Sequence, residues 1–297
     1  MALLDDAAAT ARSVAYLAVV PVLSTLLAFE KLTRTATAGP GGGVKFPLPA
    51  ALPDLWTFVS VPSTGVSFNL GVPLVFAPVY FGLFAVLVAG YVGSIDAALD
   101  DEPLDFVGSA TDYAVPVFVV QLVVLAVTVA GFGFAVVGGM ALAPLSVLYM
   151  LVTGYFLWAA PILVVTRDVG AFDALQSSVD HALQGGRYAT FSLTYLLAGI
   201  PGSFVLSMLV RGRPLLLFLL TIVLAYPLLV VSVATVQVVK SLPHPATESK
   251  TERSTHGGTG PGGNSPTDSP TDSPTDSPTD SQNGASSAED GRTDAGT

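Results

Sequence analysis

The hydrophobic pattern of the chain is dominated by residues 113–166, a run without a single Asp, Glu, Lys, Arg or His. As one straight helix this run would be about 80 Å long at 1.5 Å per residue, whereas the hydrocarbon core of a bilayer is about 30 Å thick. The run must therefore cross a membrane twice and fold back in between. Gly138, Gly139 and Pro144 mark the predicted turn, because glycine and proline interrupt helices.

The other apolar runs have the length of single membrane spans. With the two arms of the central run, they predict an all-α fold of six transmembrane helices within an integral membrane domain, residues 1–240. The predicted spans are residues 13–29, 70–95, 113–137, 144–165, 188–210 and 214–239. A cleaved signal peptide is the alternative for the first span, but Asp5 and Asp6 stand where such a peptide carries basic residues.

Residues 171–184 have a different pattern, in which apolar side chains recur at steps of three and four. This spacing predicts an amphipathic helix that ends at Gly185 and Gly186. The helix is too polar to span, so we expect it to lie in the headgroup plane with its apolar stripe buried. The stripe comprises Phe172, Leu175, Val179, Ala182 and Leu183, and the polar face includes Asp173, Gln176, Asp180, His181 and Gln184.

The longest connection, between the first two spans, carries three basic residues around a glycine-rich stretch: Lys31, Arg34 and Lys45. Apolar and polar residues alternate over residues 55–61, a pattern that is compatible with one short strand. Because Trp56 adjoins a span, we expect it to be an aromatic anchor at the membrane interface.

The connection after the second span, residues 96–105, contains five acidic residues and no basic one. Paired carboxylates such as Asp100 and Asp101 suit a cation site. A divalent-ion loop, however, needs ligands at alternating positions around a glycine turn, and that spacing is absent. The pattern favours a solvated acidic face.

The chain changes character at residue 241. Pro, Ser, Thr, Gly and Asp dominate residues 241–297, and the tetrapeptide Ser-Pro-Thr-Asp is repeated without interruption over residues 265–280. This low-complexity composition cannot bury enough apolar surface to fold, which predicts a disordered acidic tail. Outside the cell its composition would suit an O-glycosylated stalk, and inside the cell a solubilising or tethering tail.

Composition supports the membrane class and excludes several kinds of chemistry. Hydrophobic residues make up 51% and charged residues 11%, with a mean hydropathy of +0.65, which leaves too few polar groups to cover a soluble globule. The chain has no Cys, so disulfides and thiol sites are excluded. Its net charge of −10 is typical of proteins that work in concentrated salt, as in halophiles. The chain also lacks the clusters of Lys and Arg through which proteins bind nucleic acids.

Polar residues inside the predicted spans are few. Gln121 is expected to hydrogen-bond a neighbouring helix, and no span interior contains an ionisable residue, which disfavours an ion or proton relay. Pro201 and Pro227 lie in the middle of two adjacent spans, a feature that is tolerated beside a cavity and favours transport. His181 has no second His nearby. No catalytic, cofactor-binding or metal-binding residue is predicted, and no cofactor.

The segment from Pro161 to Tyr188 resembles a known group. A span ends in Pro161 and aliphatic residues and is followed by Asp168. An aromatic residue, Phe172, then precedes Ala-Leu, and a helix with apolar residues at steps of three and four ends before Arg187 and Tyr188. This arrangement resembles the YciC-like and glycerophosphodiester-phosphodiesterase membrane-domain group of six-helix integral membrane proteins. In that group lipid hydrolysis belongs to a separate soluble barrel domain, so the resemblance implies a membrane domain without that chemistry.

The function predicted from the sequence is that of a non-enzymatic membrane scaffold or regulator, and the alternative is a transporter or channel for a small solute. The predicted partner is the lipid bilayer, with protein partners and oligomeric state left open. Basic residues near the spans are almost equally divided between the two sides, so the positive-inside rule does not orient the chain. The resemblance implies a cell-membrane location with both termini and the amphipathic helix in the cytoplasm.

Overall fold

The computed structural model describes residues 2–62 and 74–243, and in these ranges the chain is helical with no strand. The predicted all-α fold is thereby confirmed. The predicted disordered tail begins at residue 241, and its residues from 244 onwards lie outside the described residues. The helices are α1 Ala2–Ser13, α2 Val19–Leu27, α3 Phe29–Thr37, α4 Leu55–Phe58, α5 Ala77–Leu99, α6 Phe106–Leu157, α7 Ala160–Thr166, α8 Ala171–Gln184, α9 Gly186–Val210 and α10 Pro214–Lys240.

Five helical segments are long and apolar enough to cross a bilayer, and a sixth crossing exists if a bent pair near the N-terminus forms one span. A multi-pass membrane protein with five or six spans is therefore the class of this chain. The five segments match the last five predicted spans with shifted ends: Ala77–Leu99, Phe106–Gly131, Pro144–Thr166, Gly186–Val210 and Pro214–Lys240.

The first predicted span, residues 13–29, is wrong as a straight helix. The two halves of the bent pair, Leu3–Ser13 and Ala15–Leu27, meet at 96°. The break lies at Val14, whose backbone angles (φ −113°, ψ 26°) are not helical, and a tighter 3-10 turn, Ala15–Ala18, follows it. Ala15–Leu27 alone is about 20 Å long, which is too short to cross the hydrocarbon core.

The predicted fold-back in the central run is confirmed. Helical hydrogen bonding continues through α6, yet Ser146 Oγ donates to the Gly131 carbonyl at 3.0 Å. Residues fifteen positions apart in a straight helix are separated by about 22 Å, so the two arms of α6 run antiparallel. We call Phe106–Gly131 the first arm and residues 144–157 the second arm.

The acidic connection is more than the solvated face expected from the sequence. Lys240 Nζ lies 2.8 Å from Asp96 Oδ1 and 2.6 Å from Asp100 Oδ2, which joins the C-terminal ends of α5 and α10 by charge-assisted hydrogen bonds. Asp105 caps α6, because its Oδ1 accepts from Gly108 N at 2.7 Å. These contacts define one end of the bundle, which we call the acidic end.

The opposite end of the bundle is held by contacts from α3 and from the long connection after it. Gly212 N donates to the Thr35 carbonyl at 3.0 Å, and Arg211 Nη1 donates to the Gly42 carbonyl at 2.8 Å. Both contacts lie in or beside the short turn between α9 and α10. We call this the connector end.

The predicted amphipathic helix is confirmed as α8, but a different face packs on the bundle. Ala174, Ser178 and His181 are buried, whereas Phe172 and Leu183 are 74% and 71% exposed. Small side chains let helix backbones approach closely, so the face with Ala and Ser docks, Leu175 packs half-buried beside it, and Phe172 and Leu183 point away. His181, expected on the polar face, is 1% exposed and belongs to the docked face.

We predict that single cysteines at Leu142 and at Gln176 are labelled from opposite sides of the membrane, because the second arm of α6 and α7 separate the α6 turn from α8. The chain has no native Cys, so an impermeant maleimide added to right-side-out and to inverted vesicles reports each position alone. A cysteine at Val223, in the middle of α10, should stay unlabelled in both and serves as the control. Labelling of both test positions from one side would contradict a double crossing by residues 113–166.

Candidate functional site

Residues 38–62, which we call the connector, fold into the bundle. A Cβ on Gly199 would be 2.2 Å from the ring of Pro47, and a Cβ on Gly154 would be 2.5 Å from Leu48. Gly199 lies eleven residues before Val210, the end of α9, which is about 16 Å along the helix. The connector therefore reaches about half-way through the hydrocarbon thickness, which the sequence pattern of a connection between spans did not predict.

The backbone of the connector finds hydrogen-bond partners on α9. Lys45 N donates to Ser203 Oγ at 2.8 Å, and Ser60 N donates to Ser207 Oγ at 2.9 Å. Ser203 and Ser207 are one helical turn apart and both are fully buried. Irregular backbone at membrane depth is tolerated where protein groups satisfy it, because unsatisfied N–H groups there cost several kcal/mol each.

Prolines lower the number of donors that need a partner. Pro47, Pro49 and Pro53 have no backbone N–H and occupy the deepest part of the connector. This composition explains how a segment without regular secondary structure is accommodated between α6 and α9.

The end of the connector is the short helix α4, not the short strand allowed by the sequence pattern. Asp54 and Thr57 form a capping box, in which each side chain accepts from the other residue's backbone N–H. Ser24 Oγ of α2 also donates to Asp54 Oδ2 at 3.0 Å. Trp56 is 2% exposed and its Nε1 donates to the Thr25 carbonyl at 2.9 Å, so it is a buried packing residue and not an interfacial anchor.

Three ionisable groups meet around the connector: Lys31, Lys45 and Asp54. The Lys45 ammonium donates to the Trp56 carbonyl. Burial among protein atoms and, to a smaller extent, the charge of Lys31 lower the pKa of Lys45 to about 8, against the opposing effect of Asp54. Burial likewise lowers the pKa of Lys31, again against Asp54. Lys45 as a residue keeps an exposed surface, so solvent screens part of these charge effects.

A cavity of about 430 Å³ lies between the connector, α5 and both arms of α6. Its walls are mainly apolar, and its volume is typical of a small-molecule site. The lining residues are Lys31, Leu48, Pro49, Ala50, Ala51, Leu52, Tyr80, Phe81, Phe84, Val88, Gln121, Val124, Leu125, Thr128, Gly154, Leu157, Trp158 and Pro161.

Two polar atoms of this cavity lining are buried without a hydrogen-bond partner in the described ranges: Gln121 Oε1 and Trp158 Nε1. In the part of the chain that the structure describes, Gln121 Oε1 accepts no hydrogen bond from a neighbouring helix, so the expected interhelical bond is not formed through this atom. Trp158 is 6% exposed and stacks on Tyr188 with ring centroids 4.8 Å apart. Because an unsatisfied buried polar atom costs about 1–3 kcal/mol, these two atoms mark the cavity wall where a water or ligand group would be stabilised.

A second cavity of about 290 Å³ lies between α9 and α10 and is lined by Gly199, Gly202 and Pro227 among others. The expectation that the two mid-span prolines border a cavity holds for Pro227, whereas Pro201 is exposed on the outer surface of α9. Both helices continue through their prolines.

The sequence reasoning missed the ionisable groups of the membrane domain because it searched only the predicted spans. The signal was present in the connection, where Lys31, Lys45 and Asp54 flank a proline-rich apolar stretch. Within residues 2–62 and 74–243, no group of three or more His, Cys, Asp or Glu side chains is gathered as a metal site.

No family model, no curated protein and no solved structure matches this chain. The resemblance to the YciC-like group therefore stays a prediction.

We predict that Gly199→Ala displaces the connector, because the new Cβ would overlap Pro47. The free energy of unfolding should fall by about 1–3 kcal/mol, and limited proteolysis should cut the connector faster. The matched control is Gly202→Ala on the same helix, where no atom lies within 4 Å of the added Cβ and alanine favours the helix by up to about 1 kcal/mol. Equal melting temperatures and cleavage rates of the two variants would contradict the docked position of the connector.

We predict that stability rises with pH above about 8. The pKa of Lys45 is about 8 in the folded protein and 10.5 without the surrounding structure. In this window the unfolded chain binds more protons than the folded one, so raising the pH favours folding. The measurement is the melting temperature of wild type and Lys45→Met in nanodiscs between about pH 7 and pH 10. The rise of the melting temperature with pH should be smaller in Lys45→Met than in wild type. An equal rise in both proteins would show that other ionisable groups cause it.

Proposed function

We propose that this chain is a non-enzymatic scaffold or regulator of the cell membrane, with α8 as the surface through which it acts on the local bilayer. The observation that carries the proposal is the division of α8 into three faces, a docked face, an apolar face and an acidic face. The helix meets protein, lipid and water at the same time, which is the arrangement of a structural element fixed in the membrane interface.

The docked face is held by buried hydrogen bonds. Ser178 Oγ donates to the Phe156 carbonyl at 2.7 Å, and Tyr155 OH donates to the Ala182 carbonyl at 3.0 Å. Tyr188 OH, at the start of α9, donates to the Tyr155 carbonyl at 2.7 Å. The first two bonds tie α8 to the second arm of α6, and Ser178 Oγ lies 3.5 Å from Tyr188 OH of α9, so the orientation of α8 is fixed by the bundle.

The other two faces follow from 100° of rotation per residue. Phe172, Val179 and Leu183 fall on one flank, and Asp173 and Asp180 on the neighbouring flank about 100° away. The apolar flank is largely uncovered by protein, which suits the acyl boundary, while the carboxylates suit the aqueous side. A helix held in this way orders the lipids next to it and displays a fixed acidic surface.

The alternative, a transporter or channel for a small solute, is favoured by the 430 Å³ cavity and its buried polar atoms at Gln121 and Trp158. The two functions differ in what reconstituted protein should do. A scaffold gives no saturable solute flux, whereas a transporter does.

We predict that Phe172→Asp lowers thermal stability both in nanodiscs and in detergent micelles, because Phe172 is covered by the alkyl chains of lipid or detergent and not by protein. The loss corresponds to about 1.5–3 kcal/mol of side-chain burial. Gln184→Asp, which adds the same charge to the polar flank, is the control and should behave as wild type in both media. Equal stability of both variants in nanodiscs would contradict a lipid-facing flank on α8.

The same preparations separate the two candidate functions. Vesicles with wild-type protein should release trapped ions and small polar solutes no faster than protein-free vesicles. A saturable flux would overturn the scaffold proposal. In intact cells, protection of a cysteine at Gln176 from impermeant reagent would support the proposed cytoplasmic side of α8, and its labelling would reverse the orientation.

A further inference from the structure

The cavity between the connector and α6 has room for one hydrocarbon chain. At about 30 Å³ per water-sized group, its volume of about 430 Å³ accommodates about fourteen such groups, which is one acyl chain and not two. Aromatic and aliphatic side chains such as Phe84, Val88 and Leu125 form most of its wall. A chain with one apolar tail is thus the ligand shape that this space fits.

The cavity is elongated along the helices. Tyr80 and Val88 both line it and are eight residues apart on α5, which is about 12 Å. Gln121 and Thr128 on the first arm of α6 are separated by about 10 Å in the same way. Because the two helices run antiparallel, Tyr80 and Thr128 lie towards the connector end, and Val88 and Gln121 lie deeper in the bundle.

The charged group of the cavity lies at its outer end. Lys31 lines the cavity and belongs to α3, which the bond from Gly212 N to the Thr35 carbonyl places at the connector end. In the described ranges, no carboxylate lies within ion-pair distance of the Lys31 ammonium. An ammonium at the mouth of an apolar cavity complements an anionic head with an apolar tail.

The neighbouring groups leave one positive charge without a counter-charge. Lys31, Lys45 and Asp54 carry a sum of +1 when all three are ionised. The Asp54 carboxylate already accepts from Ser24 and Thr57, and the Lys45 ammonium is bound to the Trp56 carbonyl. Lys31 is therefore the group that a ligand carboxylate would meet.

We propose that this cavity binds a single-chain amphiphile with a carboxylate head, with the head at Lys31 and the chain extending towards Gln121 and Trp158. At the deep end, Gln121 Oε1 and Trp158 Nε1 are buried without a hydrogen-bond partner in the described ranges. The site is separate from α8 and does not depend on the scaffold function.

Fluorescence of the native tryptophans tests this directly. The chain has two Trp residues, and Trp158 lines the cavity, so a fatty acid brominated in mid-chain should quench it on binding. Full-length protein in nanodiscs is titrated with the brominated fatty acid and, separately, with the brominated alcohol of equal length. In wild type the fatty acid should reach half-maximal quenching at a concentration at least about tenfold lower than the alcohol, because only the acid gains a charge-assisted bond.

Matched variants locate the head and the chain. Lys31→Gln should raise the midpoint for the fatty acid about tenfold, to that of the alcohol, whereas Arg34→Gln, which removes an exposed cation one turn away, should leave it unchanged. Leu125→Phe narrows the cavity and should weaken both ligands, whereas Leu122→Phe, on the same arm but outside the lining, should weaken neither.

Equal midpoints for acid and alcohol in wild type would overturn the proposal, and this comparison needs no variant to fold. An unchanged midpoint in Lys31→Gln would also overturn it, as would unchanged binding in Leu125→Phe. A drop confined to Lys31→Gln and Leu125→Phe would establish the site.

Discussion

The structure depends on one constraint, that backbone polar groups inside a membrane domain must find partners within the protein. Helices meet this constraint by themselves, but the connector does not. It is satisfied by side chains from outside, with Ser203 and Ser207 accepting from Lys45 N and Ser60 N. Prolines reduce the number of donors, and glycines on α6 and α9 provide the space. These serine acceptors, prolines and glycines together determine the folded position of the connector, and therefore the cavity behind it.

The same packing of the connector on the helices holds charged side chains beside an apolar interior. Lys45 is held by the carbonyl of Trp56, and Asp54 is used as the cap of α4, so both groups have structural partners. Lys31 has no carboxylate at ion-pair distance in the described part of the chain. A structural role accounts for two of the three ionisable groups, and the third is the one that lines a cavity.

The sequence predicted the features that depend on local periodicity and on bilayer thickness. The fold-back of residues 113–166 follows from length alone, and the bounds of α8 follow from apolar spacing and Gly185. The sequence did not predict which face of α8 docks, because hydrophobicity favoured Phe172 and Leu183, whereas close packing selects the small side chains of Ala174 and Ser178.

The re-entrant connector and the broken first span were missed for a related reason. Neither leaves a periodic signal, because the connector depends on contacts between residues far apart in the chain, such as Pro47 with Gly199, and the first span is broken at one non-helical residue, Val14. The pairing of Asp96 and Asp100 with Lys240 was missed in the same way, since the acidic connection contains no basic residue of its own. Only the tertiary arrangement brings these groups together.

The central claim, that the connector is folded into the bundle, is tested most directly by hydrogen exchange of its backbone amides. The amides of Lys45, Leu55 and Ser60 donate to side chains of α9 and α2, whereas Val44 and Phe46 are exposed neighbours. In nanodiscs the first three amides should exchange at least about a hundredfold more slowly than those of Val44 and Phe46, as expected of hydrogen-bonded native structure. Exchange of all five at the rate of an unstructured peptide would contradict the account.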